Sequence, residues 1–305
     1  MKGIKEKAFV ATRNACKLCT PLGASVVFKG VEGCVPLIHG SQGCSTYIRR
    51  YLISHYKEPV DIASTNFTEE SAIFGGQTNL FTALDNINKQ YNPKIIGIAT
   101  TCLSETIGDD MQVFLQKYQS TRNTENIPEL VYVNTPSFKG THVNGFHDSV
   151  CAPVRRFADF TKSSKKINTF PGFLSTADLR HIKEILEAFD LQSILLPDYS
   201  DTLDDEYNGN YERIPEGGTS VAEIRECGSS RATIELGYVL NHTDSRSKSA
   251  GEFLEESFSI PRFNMGLPIG IRATDEFFKI LEKLSGSSTP QKYQKQRGRL
   301  VDAYV

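Results

Sequence analysis

Short apolar runs that close on polar turns and then give way to helical spacing predict an α/β protein built on parallel sheets flanked by helices. Two observations carry that expectation. Lys94–Ala99 is almost unbroken in apolar residues (Ile95, Ile96, Ile98, Ala99), as in a strand buried on both faces, and Thr100-Thr101-Cys102 stands at its carboxyl end. The same order of strand, polar turn and helix recurs in the second half, so the 305 residues read as two such units.

In chain order, Ala24–Phe28 is a short apolar stretch after a Pro-Leu-Gly turn, and Val35–Ile38 is another, ending at His39-Gly40-Ser41-Gln42-Gly43-Cys44. Glycines at 40 and 43 suit a tight turn, with a helix through Thr46–Tyr56. Ile62–Ser64 is a brief strand; after Gly75-Gly76, apolar residues at 80, 84 and 87 put a helix over Gln77–Gln90. Beyond Lys94–Ala99, Glu105 and then Ile107–Tyr118 resume helical spacing, and the strand Leu130–Val133 ends at Asn134-Thr135-Pro136-Ser137. A boundary falls near residues 158–167, where Thr161–Lys166 is polar and basic. The second unit reads as a strand (Lys165–Phe170), a helix (Leu179–Phe189) and a strand (Ser193–Leu196). An acidic loop with Asp201, Asp204, Asp205 and Glu206 follows; its spacing matches no calcium loop, so it reads as solvated. Thr219–Thr233 reads as helix, turn and helix, Leu240–Phe258 as a polar stretch, and Phe263–Leu267 leads through Pro268-Ile269-Gly270 to an amphipathic helix over Ala273–Leu284. The expected organisation is 1–160, 161–290 and a helix over 291–305 that looks like the inside of a longer protein.

Composition excludes several classes. A net charge of -2 speaks against a basic nucleic-acid binder. No apolar run is long enough to span a bilayer, and the first 14 residues carry no apolar signal core, so a cytoplasmic protein is expected. Seven cysteines, an odd number, do not form a secreted disulfide framework; they are buried apolar residues or soft-metal ligands. Cys16-Lys17-Leu18-Cys19 is ambiguous as a lone Cys-x-x-Cys, and no second pair completes a zinc ribbon. Cys19, Cys44 and Cys102 each stand beside a turn or a strand's carboxyl end, and such loops converge on one sheet edge. Three thiolates could hold an iron–sulfur cluster that a partner completes; three structural cysteines are the other reading. Cys34 and Cys227 fit the structural reading, and Cys151 lies in a helix with no assigned role. His142 and His147 lack the spacing of a zinc protease, and Gly140–Gly145 reads as a polar turn. There is no Walker sequence and no dinucleotide fingerprint. Glu105, Asp109 and Asp110 have two readings, proton or ion-pair roles and an acidic set at a helix N-terminus, of which the helix dipole favours the second.

These residues carry a longer pattern. Cys19-Thr-Pro-Leu-Gly-Ala24, His39-Gly-Ser-Gln-Gly-Cys44, Phe74-Gly-Gly76, Thr100-Thr-Cys-Leu-Ser-Glu-Thr-Ile-Gly-Asp-Asp110 and Thr135-Pro-Ser-Phe-Lys-Gly-Thr-His-Val-Asn-Gly145 resemble the nitrogenase component 1 family, in its β-type branch, and so do Pro268–Phe277 and Arg297–Asp302. The resemblance implies tandem Rossmann-like domains, of which this chain has room for two, so that a third family domain is missing. It implies an α-like partner subunit in a heterodimer or heterotetramer, and an ATP-dependent iron-protein reductase. It carries the cluster ligands over to Cys19, Cys44 and Cys102, with Ser137 matching the serine that ligates the oxidised P-cluster and Gly43 bringing backbone close to the cluster. The branch holds two roles. One is a scaffold that matures the iron–molybdenum cofactor around a [4Fe–4S] cluster. The other is the catalytic β subunit, which holds half of an [8Fe–7S] P-cluster and relays electrons. The wording of Phe28–Gly33 and Ser45–His55 looks more like the scaffold, which is the reading expected here, with the catalytic β subunit as its alternative. A third reading is a metal-free α/β fragment, since an interfacial cluster is incomplete without its partner.

Overall fold

The computed structural model describes residues 17–122, 127–206, 209, 211–237 and 248–303. Cys16, with its half of the Cys-x-x-Cys pair, His242 and the start of the polar stretch 240–258 lie outside the described residues.

Two four-stranded sheets, each parallel throughout, organise the chain. The first contains β1 (Cys34–His39), β2 (Ala63–Ser64), β3 (Ile95–Thr100) and β4 (Glu129–Val133) in the order β2-β1-β3-β4. Every residue of β1 and β3 is buried, which is why both read as unbroken apolar runs. Around this sheet lie α1 (Thr20–Lys29), α2 (Gln42–Tyr56), α3 (Glu69–Phe74), α4 (Gln77–Tyr91), α5 (Cys102–Ile107), α6 (Met111–Thr121) and α7 (His142–Phe157). Leu80, Leu84 and Ile87 form the buried stripe of α4, as their spacing predicts. The second sheet has β5 (Ile167–Phe170), β6 (Ser193–Leu195), β7 (Thr233–Leu236) and β8 (Arg262–Met265) in the order β6-β5-β7-β8. Its helices are α8 (Thr176–Ala188), α9 (Val221–Glu226), α10 (Ala250–Phe258), α11 (Ile271–Ser285) and α12 (Gln291–Asp302).

Several elements differ from the sequence reading. Ala24–Phe28 is the middle of α1, and Pro21 sits in that helix's first turn, where a missing N–H costs nothing. All ten residues of α1 are buried, so no polar face marks it as a helix. It crosses α7 at two glycines: a Cβ on Gly23 would lie 1.8 Å from the His142 carbonyl oxygen, and one on Gly145 would lie 2.0 Å from that of Thr20. The stretch Ile107–Tyr118 is broken by Gly108 in a left-handed conformation (φ 82°), which separates α5 from α6. Gly140–Gly145 is the start of α7, capped by Thr141 and Asn144. Thr219–Thr233 holds one helix, α9, then a 3₁₀ turn and the first residue of strand β7. Among the described residues no helix is long and apolar enough to cross a membrane.

Candidate functional site

In the first sheet β1 leads outward to β2 on one side, and β3 leads to β4 on the other. The carboxyl ends of β1 and β3 therefore flank the point where the winding reverses, the place where open α/β sheets expose a crevice. Cys44 follows β1 through the turn Gly40-Ser41 and is the third residue of α2. Cys102 follows β3 and is the first residue of α5.

The two turns are locked together. Thr101 caps α5 by accepting from the Ser104 amide, and its hydroxyl donates to the His39 carbonyl at 3.0 Å. A Cβ on Gly40 would fall 2.2 Å from the Thr101 hydroxyl, so only glycine fits. The turn after β4 is tied to the same place. The Thr135 amide donates to Thr100 Oγ1 at 2.8 Å, and the Thr135 hydroxyl donates to the Thr100 carbonyl at 2.6 Å. Thr100 in turn donates to Glu105 at 2.6 Å.

This lattice brings Ser137 to the rim. Its amide donates to Cys102 Sγ at 3.2 Å, and its hydroxyl oxygen accepts from the Thr20 amide at 3.1 Å. Cys19 is the residue before Thr20 and the N-cap of α1; the Leu18 carbonyl beside it accepts from the His142 amide at 3.0 Å. Cys19, Cys102 and Ser137 are thus gathered by direct bonds among their own segments. Cys44 Sγ lies 3.7 Å from Ser41 Oγ. Tyr47, one turn further along α2, has its phenol pKa raised, chiefly by burial and by the Tyr51 hydroxyl.

Among the described residues the thiols fall into two classes. Cys19 and Cys102 are exposed and Cys44 is half-buried, whereas Cys34, Cys151 and Cys227 are buried. Burial pushes the Cys34 thiol up to about 12 and the Cys151 thiol up to about 11, and it raises Cys227 as well. Those three are held as neutral thiols, unsuited to act as thiolate ligands. Gly43 faces open space: a Cβ there would meet only Ser41 Oγ at 4.0 Å. Nothing in this chain's packing demands glycine at that position. Among the described residues no three His, Cys, Asp or Glu side chains close around one metal ion. The soft donors line an open edge, which fits one side of a thiolate-held cluster completed from outside.

Asp109 takes the ion-pair reading instead of the favoured helix-start one: its carboxylate is buried against His39. Only the meeting of β1 with the α5–α6 turn creates that pair, and no local signal announces it.

The sequence pattern of the family described as nitrogenase component 1 type oxidoreductase matches residues 19–305. The chain belongs to that family. Among its relatives, the nitrogenase molybdenum-iron protein beta chain of Clostridium pasteurianum is 38% identical over 293 residues, covering 96% of this chain and 63% of its own length. The nitrogenase iron-molybdenum cofactor biosynthesis protein NifN of a Nostoc species is 35% identical over 294 residues, covering 96% of this chain and 65% of its own. A solved structure described as nitrogenase Cp1 at pH 6.5 superposes with a TM-score of 0.89 at 37% identity, covering 99% of this chain and 64% of that one. The nitrogenase component 1 chain described here thus spans under two thirds of these relatives, and its two parallel sheets are those of the tandem Rossmann-like family fold.

Proposed function

We propose that this chain is the β-type subunit of a nitrogenase component 1 pair. In this reading Cys19, Cys44 and Cys102 supply one side of a P-cluster-type iron–sulfur centre shared with an α-type partner. The observation that carries the reading is Ser137, held between the Cys19 segment and Cys102 by one bond to each. A retained serine beside two exposed thiols favours the electron-relaying subunit over the cofactor-maturation scaffold, and relatives at 38% and 34% identity bear the beta-chain name.

Such a centre, when bound, supplies one-electron storage and transfer. The chain's own residues do the rest. The thiolates of Cys19, Cys44 and Cys102 bind. The Ser137 amide donates to Cys102 Sγ, drawing electron density from that sulfur, which raises a cluster's potential. The Thr20 amide occupies one lone pair of Ser137 Oγ, fixing the hydroxyl at the rim as an oxygen donor. An ATP-dependent iron-protein reductase, with its own [4Fe–4S] cluster, would deliver the electrons.

The test is iron content after anaerobic co-expression with an α-type partner. About eight iron atoms per pair are expected at the interface, where a scaffold's [4Fe–4S] cluster would give about four. Cys44→Ala and Cys102→Ala should each strip cluster iron and its paramagnetic signal. Unchanged iron in both variants refutes the ligand assignment, and about four in the unaltered pair returns the protein to the scaffold role.

A further inference from the structure

We propose that the buried His39–Asp109 pair is a positioning device that ties the exposed tip Ile73–Phe74 to the turns bearing Cys44 and Cys102. His39 ends β1 and its side chain is 0% exposed; its Nε2 lies 3.0 Å from Asp109 Oδ2, on a side chain only 4% exposed. Its Nδ1 is buried with no hydrogen-bond partner, so the ring's polar contact is to Asp109 alone. The Asp109 carboxylate also accepts the Gly76 amide, at 3.1 and 3.2 Å. Three turns therefore meet on one carboxylate: β1 to α2, α3 to α4, and α5 to α6.

Packing leaves these turns no independent play. A Cβ on Gly76 would fall 2.2 Å from the Phe67 ring and 2.7 Å from Asp109 Oδ2. The Phe67 ring packs edge-on against His39 at 4.8 Å, and its amide donates to the Gly40 carbonyl at 2.9 Å. The His39 carbonyl holds the Thr101 hydroxyl beside Cys102. At the other end of the link, Ile73 is 74% and Phe74 81% exposed, immediately before the glycine turn. Displacement of that tip has a short, fully packed route to both cysteine-bearing turns, through one carboxylate and one imidazole. The inference rests on the proposed function only in naming Cys44 and Cys102 as ligands; the link is a property of the chain.

Hydrogen exchange of the full chain, read by mass spectrometry on peptides 40–46 and 100–106, tests it. Gly76→Ala and His39→Leu should each speed exchange in both peptides by at least about fivefold. The double variant should be no faster than the faster single one, since both cut the same link. His39→Gln, which keeps a donor toward Asp109, should recover much of the protection. The proposal is overturned if Gly76→Ala accelerates exchange only around 69–80, if the two effects multiply, or if Gln performs no better than Leu. Iron content of the Cys44→Ala pair tests the ligand reading separately and is untouched by failure here.

Discussion

The crossing of α1 and α7 offers a quantitative test of how the thiol rim is held. Gly23→Ala places a methyl group 1.8 Å from the His142 carbonyl oxygen, 2.6 Å from the Phe146 amide nitrogen and 2.8 Å from the His142 carbonyl carbon. All three obstacles are backbone, so no side-chain rotation relieves them. Ordinary carbon–oxygen contact is about 3.4 Å, so the helices must part by about 1.5 Å in a close-packed interior. Inserted methyl groups cost about 1–3 kcal/mol when neighbours can shift, and this one should cost about 3 kcal/mol or more because two buried helices must move. The assay is urea unfolding followed by far-UV circular dichroism. A second readout follows from the bond between the His142 amide and the Leu18 carbonyl. Moving α7 pulls that bond, and Cys19 should then label faster with iodoacetamide. A loss below about 1 kcal/mol, with Cys19 labelling unchanged, would refute the claim that the glycine crossing positions the rim.

Two further outcomes separate folding from function. Gly43→Ala faces open space on an exposed turn of α2, so stability should rise by a few tenths of a kcal/mol, about 0.5 at most, while iron retained by the assembled pair falls; equal iron in both proteins would remove Gly43 from the site. His147 is buried and desolvation lowers its pKa from 6.5 to about 4. A depressed folded-state value means stability is fully present above pH 6.5 and is lost as the pH falls toward 4, on the order of 3 kcal/mol from this group. Urea midpoints measured from pH 7 to 4 should show that slope, and His147→Gln should flatten it.

Legibility in the sequence followed burial symmetry. Strands β1 and β3 and the stripe of α4 were readable because a doubly buried strand and a half-buried helix leave distinct patterns. Helix α1 was not, since a helix buried all round has no polar face and its apolar run looks like a strand. Strand β7 was not legible: only its first residue, Thr233, falls in the stretch that reads as helix, turn and helix, and four buried residues are too short for any period to emerge. The rim shows the same division. Cys19, Cys44 and Cys102 were legible as candidates by residue type beside turns, and Ser137 by the family motif around it. The pairing of Asp109 with His39 was invisible, because a carboxylate at a helix start looks the same whether solvent or a buried imidazole faces it.

Local chemistry therefore settled the α/β class and the family and marked three thiols as candidate donors, all of which are written in residue type and order along the chain. Folding in three dimensions decided which thiols are available and how they are held. Ser137 meets Thr20 across 117 residues and Cys102 across 35, and His39 meets Asp109 across 70. Contacts over such separations depend on strand order and on where the winding of the sheet reverses, and no periodicity within a single segment encodes either one.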